Sequence, residues 1–271
     1  MASTLENHPS LDGVVLFSAP LGMHVHDDHS HDGFSIIVVT GGSKTFRNTG
    51  RVSRVSELEI AIANPGEIHG CGPASDAPWS HKTWYVSAAF VQQLMGETQI
   101  PKLQSPVIRD ATIAAGLIEA HDGICDGAMD PDAAMIANEA LAALFDAYAQ
   151  TGAKPESDDL TKPQQRTARC IEYMQSNINT GVDLAALASL AGVSRNQLIR
   201  DFRRVYQTTP GQYFRLLRLR QAKQSMESGQ SLSDVASAAG YSDQSHFIRH
   251  FRKAFGVTPK HALKLNPGSP L

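Results

Sequence analysis

The chain has 271 residues, of which 42% are hydrophobic and 19% are charged, and its formal net charge at pH 7 is −3. This length predicts more than one domain with a packed core. No run of 18 or more apolar residues occurs, and no basic N-terminal region precedes an apolar stretch, so we expect a cytoplasmic protein without a signal peptide or a membrane span. Cys71, Cys125 and Cys170 are odd in number and lack CxxC spacing, which predicts reduced thiols.

The modest net charge hides an uneven distribution along the sequence. Residues 163–265 carry 15 Lys and Arg against 6 Asp and Glu, a net charge of +9, and the remaining residues carry a net charge of −12. A basic region of this size predicts contact with a phosphate backbone.

The first hundred residues have the pattern of short β-strands. Predicted strands lie at residues 34–40, 44–47, 58–63 and 79–87, and the segment 48–51 predicts a hairpin turn after the second strand. Many short strands separated by Gly and Pro predict a small β-barrel.

Histidines are concentrated at the start of this region. If the segment is extended throughout, His24, His26, His29 and His31 would share one face of a strand, with His69 approaching from a neighbouring strand. Two interpretations stay open: His29, His31 and His69 hold a metal ion, or they line a ligand pocket and satisfy hydrogen bonds of the barrel. On the second interpretation, His24 and His26 would lie on a mobile N-terminal arm.

Two helices are predicted after the strands, at residues 107–124 and 131–150. The apolar face of the second helix consists of Ile136, Ala140, Leu141, Leu144, Phe145 and Tyr148. Residues 152–163 are polar, contain two prolines and lack apolar periodicity, so they predict an interdomain linker.

A tandem repeat follows the linker. The segment Ala188–Ser194 returns as residues 236–242, an offset of 48 residues. Each copy has an apolar helical stripe, a Gly followed by a Ser at the start of a second, Arg-rich helix, and a closing Thr-Pro. This order predicts two helix-turn-helix units.

Helical periodicity separates buried from outward positions in the second helix of each unit. Predicted buried residues are Leu198, Phe202, Val205, Phe247, Phe251 and Ala254. Predicted outward residues are Asn196, Ile199, Arg200, Arg203, Ser245, Ile248, Arg249 and Arg252. Ser194 and Ser242 are the predicted N-caps, and the second copy has one extra residue before its buried Phe.

Residues 240–259, together with 193–204, closely resemble the signature of the AraC/XylS family of bacterial transcription regulators, and this resemblance covers residues 163–265. It implies two helix-turn-helix units joined by a linker helix at residues 211–228, with both recognition helices in the major groove of double-stranded DNA. Base-reading candidates carried over by motif position are Asn196, Ile199, Arg200, Gln244, Ser245 and Arg249. Candidates for phosphate contact are Arg203, Arg204, Arg252 and Lys253.

The histidine motifs, His29-Ser-His31 and Pro65-Gly-Glu-Ile-His69, resemble the two motif positions of a cupin, and specifically the sensor barrel of the same regulator family. The resemblance therefore implies an α+β two-domain chain: a cupin-like barrel at residues 1–100, a helical pair at 101–151, the linker at 152–163 and the DNA-binding domain at 164–265. The expected effector pocket is lined by His29, His31, Phe34, Ile36, His69 and Trp84.

The expected function is a transcription regulator, an activator rather than a repressor, that responds to a small-molecule effector and contacts RNA polymerase. No cofactor is expected. The helical pair either forms a homodimer contact, as in related regulators, or packs against its own barrel. Two further classes stay open: a metal-dependent cupin enzyme fused to a DNA-binding module, and a DNA-binding protein whose barrel has lost its ligand.

Overall fold

The computed structural model describes residues 4–7, 11–22, 25–48, 51–74, 77–126, 131–150, 161–206, 208–241, 243–255 and 258–263. The chain divides into two compact units, one within residues 1–153 and the other within residues 154–263. None of the helices in these described ranges has the length and apolar character needed to cross a lipid bilayer.

The N-terminal unit contains antiparallel sheets. A six-stranded sheet has the order β1-β2-β9-β4-β7-β11, formed by Thr4–Asn7, Val14–Gly22, Trp79–Val86, Phe34–Gly41, Ile60–Ala63 and Val107–Ile108. A four-stranded sheet has the order β3-β8-β5-β6, formed by His26–His29, His69–Pro73, Ser43–Asn48 and Arg51–Ser56. The short strands β10 (Lys102–Leu103) and β12 (Ala149–Gln150) pair with each other.

The predicted barrel takes the form of two sheets with a shared core. Ile37 and Val39 on β4 belong to an apolar cluster with Phe46 and Val55 of the four-stranded sheet. Within the described residues the strand pairs form separate sheets and do not close into one ring. The predicted hairpin is confirmed by β5 and β6, in which Asn48 pairs with Arg51.

The described part of this unit also contains the helices α1 (Ala88–Met95), α2 (Ala111–Asp126) and α3 (Pro131–Tyr148). A second apolar cluster joins Phe34, Ile36 and Val38 of β4 to Leu117 of α2 and Phe145 of α3. Successive strand residues point to opposite faces, so one face of β4 packs against these helices and the other against the four-stranded sheet. The buried face of α3 is therefore covered within its own unit, although Ile136, predicted on that face, is 45% exposed.

Several predicted boundaries were wrong. Residues 107–108 form β11 rather than a helix, and α2 begins only after Asp110, whose Oδ1 accepts hydrogen bonds from the backbone N–H groups of Thr112 and Ile113. The helix α1 was not predicted within the β-rich first hundred residues. Leu58 lies in a turn with φ of 59°, so its strand starts two residues later, at Ile60.

The C-terminal unit is helical. Its helices are α4 (Lys162–Ser176), α5 (Leu184–Ala191), α6 (Arg195–Tyr206), α7 (Pro210–Glu227), α8 (Leu232–Ala238), α9 (Gln244–Phe255) and α10 (Pro259–Ala262). The predicted linker lies outside the described residues up to position 160. Its last residues belong to a helix start, because Thr161 forms a capping box with Gln164 and Pro163 occupies the first turn, where its missing N–H costs nothing.

The linker helix joining the two repeat copies is α7, which matches its predicted span within one residue at each end. Thr209 caps it, accepting a hydrogen bond from the backbone N–H of Gln212, and Thr258 caps α10 in the same way. The Thr-Pro pair that closes each copy is therefore a helix start, with Pro at the first helical position.

Candidate nucleic-acid interface and effector site

The first helix-turn-helix unit consists of α5, a three-residue turn and α6. Gly192 has φ of 65° at the end of α5, and Ser194 accepts a hydrogen bond from the backbone N–H of Gln197. Leu187 and Phe202 belong to one apolar cluster. The predicted turn and the predicted packing of this unit are confirmed.

The second unit consists of α8, its turn and α9, and it has a different cap from the predicted one. Gly240 has φ of 77°, as the turn requires. Asp243 Oδ1 accepts the backbone N–H of His246 at 2.7 Å and so caps α9, whereas Ser242 lies outside the described residues. The extra residue of this copy shifts the cap by one position, because a cap must lie directly before the first helical turn.

The two recognition helices α6 and α9 expose the predicted reading positions. Asn196, Arg200, Gln244, Ser245 and Arg249 are exposed, and Ile199 and Ile248 are half-buried. Arg203, Arg204 and Arg252, the candidates for phosphate contact, are also exposed, while the side chain of Lys253 lies outside the described part of the chain. The predicted inward set is buried apart from Val205, which is half-buried.

Each unit therefore presents a recognition helix with an apolar inner face and an outer face of arginines and amides. Guanidinium groups can donate two parallel hydrogen bonds to guanine, and amides can pair with adenine. The polar residues with these capabilities are Asn196, Arg200, Gln244 and Arg249. The half-buried Ile199 offers only apolar contact, for example with a thymine methyl group.

In the N-terminal unit, a cluster of buried histidines lies where β3 and β8 pair. His29 is directly opposite His69 in the strand register, and the donor atoms of His29, His31 and His69 all lie within 4.8 Å of one another. The ring centroids of His29 and His69 are 4.5 Å apart, and those of His31 and His69 are 5.2 Å apart. The sequence prediction that His69 approaches from a neighbouring strand is confirmed.

His26 and His29 lie close together, as predicted, but a regularly extended strand does not account for this. In a regular strand His26 and His29 would point to opposite faces, since they are three residues apart. The register shifts by one residue between them, because His26 pairs with Cys71 and His29 with His69. This extra residue brings the rings of His26 and His29 to 6.2 Å. His26 is thus part of a sheet, and His24 lies outside the described residues.

Three imidazoles at this separation form a set that could hold a divalent transition metal. The Nδ1 atom of His69 lies 3.0 Å from the carbonyl oxygen of Glu67, which can only accept, so Nε2 keeps its lone pair for a ligand. Burial, followed by the charges of His29 and Lys44, holds the pKa of His69 well below its usual value. The neutral form of His69, which a metal ion requires, is therefore favoured. The positive charge of Lys44, however, disfavours binding of a metal cation at this place.

The predicted effector pocket is divided between two faces of the six-stranded sheet. The three histidines lie on the side of the four-stranded sheet, and Tyr85 on β9 contacts His31 at a ring distance of 4.8 Å. Phe34, Ile36 and Trp84 lie on the opposite face, in the apolar cluster under α2 and α3. The structure therefore brings the three histidines together and separates them from the three predicted apolar residues.

Sequence reasoning missed Lys44 in this interior. The residue alternates with Phe46 and Asn48 along the inward face of β5, and it is fully buried. Its Nζ lies 4.9 Å from the ring centroid of Trp79 and 5.4 Å from that of Phe46. The two-residue period of a strand would have placed Lys44 on the same face as Phe46, but the sequence of 43–48 does not show which face is buried.

One of the cysteines, Cys125, lies beside a histidine. All three thiols are free, and Cys125 Sγ lies 3.5 Å from His121 Nδ1, the spacing of a Cys–His pair. However, burial and the carboxylate of Glu6 raise the pKa of Cys125 to about 12, and burial lowers the pKa of His121 to about 4. A protonated thiol beside a neutral imidazole lacks the thiolate that nucleophilic catalysis needs.

Comparison with known proteins agrees with this two-unit arrangement. Residues 13–145 match the model of the AraC-like ligand binding domain, and residues 187–264 match that of a helix-turn-helix domain. The chain is 24% identical over 228 residues to YbfI, an uncharacterized HTH-type transcriptional regulator of Bacillus subtilis, covering 83% of this chain and 82% of YbfI.

A second relative is matched through one region only. The HTH-type transcriptional regulator GbdR of Pseudomonas aeruginosa is 32% identical over 110 residues, which are 40% of this chain and 30% of GbdR. Among solved structures, that of unsaturated fatty acid bound ToxT from Vibrio cholerae superposes with a TM-score of 0.51 at 13% identity, covering 95% of this chain and 96% of ToxT. The chain thus shares a two-domain fold with ToxT. The region matched in GbdR is less than a third of the length of that protein.

The two family models, the order of the units and the geometry of the tandem helix-turn-helix lead to one classification. The chain belongs to the AraC family of transcriptional regulators.

Proposed function

We propose that this chain is a sequence-specific DNA-binding transcription regulator whose N-terminal unit binds a small-molecule effector. The observation that carries the proposal is the pair of exposed, arginine-bearing recognition helices in a region of net charge +9. A single basic helix is a common surface feature. Two helices that each follow a glycine turn, begin at a side-chain cap and carry an outward arginine fit two successive segments of the major groove.

The test compares arginine variants of the full chain on DNA. Arg200→Ala and Arg249→Ala should each weaken binding to a selected site by about 1 to 3 kcal/mol, and binding to random DNA by much less, since base contacts carry the discrimination. Arg169→Ala, which removes an exposed arginine of α4 outside both recognition helices, is the matched control. Equal losses on selected and random DNA would reduce Arg200 and Arg249 to phosphate contacts.

For the effector, we propose a molecule with a negatively charged group, such as a carboxylate, bound beside Lys44 and the histidine cluster. Among the described residues, no acidic group pairs with Lys44, and its Nζ has no hydrogen-bond partner. Burial lowers the pKa of Lys44 to about 8. At pH 7 the ammonium group of Lys44 is therefore still charged in most molecules. Contacts with two aromatic rings compensate only part of the cost of burying a charge.

Lys44→Met tests this proposal, because methionine replaces the charge by an apolar chain of similar length. We expect the variant to melt at a higher temperature than the wild type, since an isolated buried charge is lost. Acetate, benzoate and octanoate, compared with their amides, should raise the melting temperature of the wild type only, as ligands of the native state do.

Lys102→Met makes the same substitution at an exposed strand position. This control separates the effect of burial at Lys44 from the effect of losing a lysine. A Lys44→Met protein that is destabilised, with no carboxylate effect in the wild type, would make Lys44 a structural residue. Metal analysis of the purified chain belongs to the same experiment. Bound metal near one equivalent, lost in His69→Gln, would assign the histidine cluster to a metal ion instead.

The remaining parts of the proposal rest on the family resemblance: activation rather than repression, contact with RNA polymerase, and a homodimer. The matched relatives are transcriptional regulators, and the protonated thiol of Cys125 offers no support for an enzyme. We therefore propose no catalytic reaction for the N-terminal unit.

A further inference from the structure

A chain of hydrogen bonds in the first helix-turn-helix unit ends at a base-reading candidate. The Arg200 guanidinium donates to Gln197 Oε1 at 2.7 Å, and Gln197 Nε2 donates to Asp201 Oδ1 at 2.7 Å. Arg166 of α4 donates to Asp201 Oδ2 at 3.2 Å. The bonds therefore connect α4, through the inner side of α6, to an arginine on its outer face.

Asp201 is an unexpected residue at this position. Its side chain is 3% exposed, it precedes the core residue Phe202, and it is an acidic group in a helix whose outer face is basic. Burying a carboxylate costs free energy unless it is paired and hydrogen-bonded. Since Asp201 is buried, it is not placed to contact DNA, and its carboxylate instead accepts hydrogen bonds from Gln197 and Arg166.

The charge of Asp201 determines which way the Gln197 amide faces. An ionised carboxylate accepts hydrogen bonds but cannot donate them, so the amide NH₂ group must point to Asp201. The amide oxygen is then directed at Arg200, where it accepts one of the five guanidinium N–H donors. The other donors stay available for a guanine edge.

An arginine held in this way loses less conformational freedom when it binds a base. The second unit provides an internal comparison, because its cap Asp243 aligns with Ser194. Positions Gln197 and Asp201 then correspond to His246 and His250, whose rings are 4.7 Å apart, so no carboxylate lies beside Arg249 at the equivalent place.

We propose that Asp201 is a positioning residue for DNA reading: it orients Gln197, which holds the Arg200 guanidinium for one base pair. This inference rests on the proposed function and extends it, because it assigns a specificity role to a side chain that touches no base. If Asp201 has this role, the first unit should discriminate more strongly at the base pair read by Arg200 than the second unit does at the base pair read by Arg249.

The test is a double-mutant cycle on the full chain, read as base preference at single operator positions. A site selected from random DNA is varied one base pair at a time, and the Arg200→Ala and Arg249→Ala chains identify the pair that each arginine reads. Asp201→Asn should lower the preference at the Arg200 pair by about two- to a hundredfold, the range typical of coupled residues in one network. It should leave the preference at the Arg249 pair unchanged.

In the Arg200→Ala background, Asp201→Asn should have no further effect on base preference. Gln197→Ala, which removes the half-buried intermediate and leaves the buried ion pair intact, should reproduce the result if Asp201→Asn does not fold. His250→Asn is the matched control in the second unit, and it should leave the Arg200 pair unaffected.

Two outcomes would overturn the inference. One is that Asp201→Asn and Gln197→Ala weaken binding to all sequences equally, as loss of stability alone would do. The other is that they act as strongly without Arg200 as with it. A wild-type chain that selects no site at all would instead refute the proposed function, so the two failures are distinguishable.

Discussion

His121 shows how a single buried residue makes stability depend on pH. It lies fully buried on α2, and its ring packs edge-on against Trp84 at 5.7 Å. Burial, and then the charge of Lys82, lowers its pKa to about 4, with Asp122 opposing the shift. The folded chain thus keeps this imidazole neutral at pH values where the unfolded chain protonates it.

The sign of the effect follows from proton binding. Between pH 6.5 and pH 4 the unfolded state binds more protons at His121 than the folded state, so stability decreases as the pH falls through this range. With a pKa of about 4 in the folded chain and 6.5 in the unfolded chain, this residue should account for a loss of about 2 kcal/mol between pH 7 and pH 5. The measurement is the difference in pH-dependent unfolding free energy between the wild type and His121→Gln.

His26→Gln, which replaces a half-buried histidine of the four-stranded sheet, serves as the control. If His121→Gln shows the same pH dependence as the wild type, His121 has the same pKa in the folded and unfolded chains, which contradicts the lowered pKa of the buried imidazole.

The sequence predicted residue positions well where the pattern is local. Phe202, Phe251, Arg200 and Arg249 all have the predicted exposure, since helical periodicity fixes faces within a single helix. It did not predict the irregular strand between His26 and His29, because a one-residue register shift depends on the partner strand. It also failed for Lys44, whose burial depends on a sheet-to-sheet core that a local pattern does not encode.

At the scale of elements, fully buried aromatic residues anchor both recognition helices: Phe202 in α6, and Phe247 and Phe251 in α9. Phe202→Ala and Phe251→Ala should each cost about 3 to 5 kcal/mol in the stability of the helical unit, the usual effect of truncating a buried aromatic residue. Thermal or denaturant unfolding monitors the loss. Ile199→Ala, at a half-buried outward position of the same α6, should cost much less.

One result would show that the inner and outer faces of α6 have been assigned the wrong way round. A Phe202→Ala chain that melts like the wild type but no longer binds DNA would mean that Phe202 points to the DNA and Arg200 to the core.

Helix and strand boundaries were predictable where a cap or a turn residue marks them. Thr209 and Thr258 mark the starts of α7 and α10 correctly, because Thr before Pro combines a cap with a preset φ. The helix α1 was missed, although Ser87 caps it and Gly96 ends it in the left-handed conformation, since its eight residues follow directly on a strand. The strand β11, which lies where a helix start was predicted, was missed because a two-residue strand forms only through its pairing with β7.

At the scale of the whole molecule, the two units differ in charge and architecture. The sequence predicted this division because the tandem repeat and the basic region coincide, and the family models match the same two regions. The form of the N-terminal sheets was less predictable. Pairing between distant strands such as β2 and β9 depends on long-range contacts that a local pattern does not show.

The most direct test of the central claim is the affinity of the full wild-type chain for a site selected from random DNA, compared with a scrambled site of equal composition, over a range of salt concentrations. We predict that the selected site binds at least about a thousandfold more tightly at physiological salt. Both affinities should fall steeply as salt increases, because bound phosphates release counterions. Equal affinity for the two DNAs, or no enrichment of any sequence, would contradict the claim that this chain is a sequence-specific regulator.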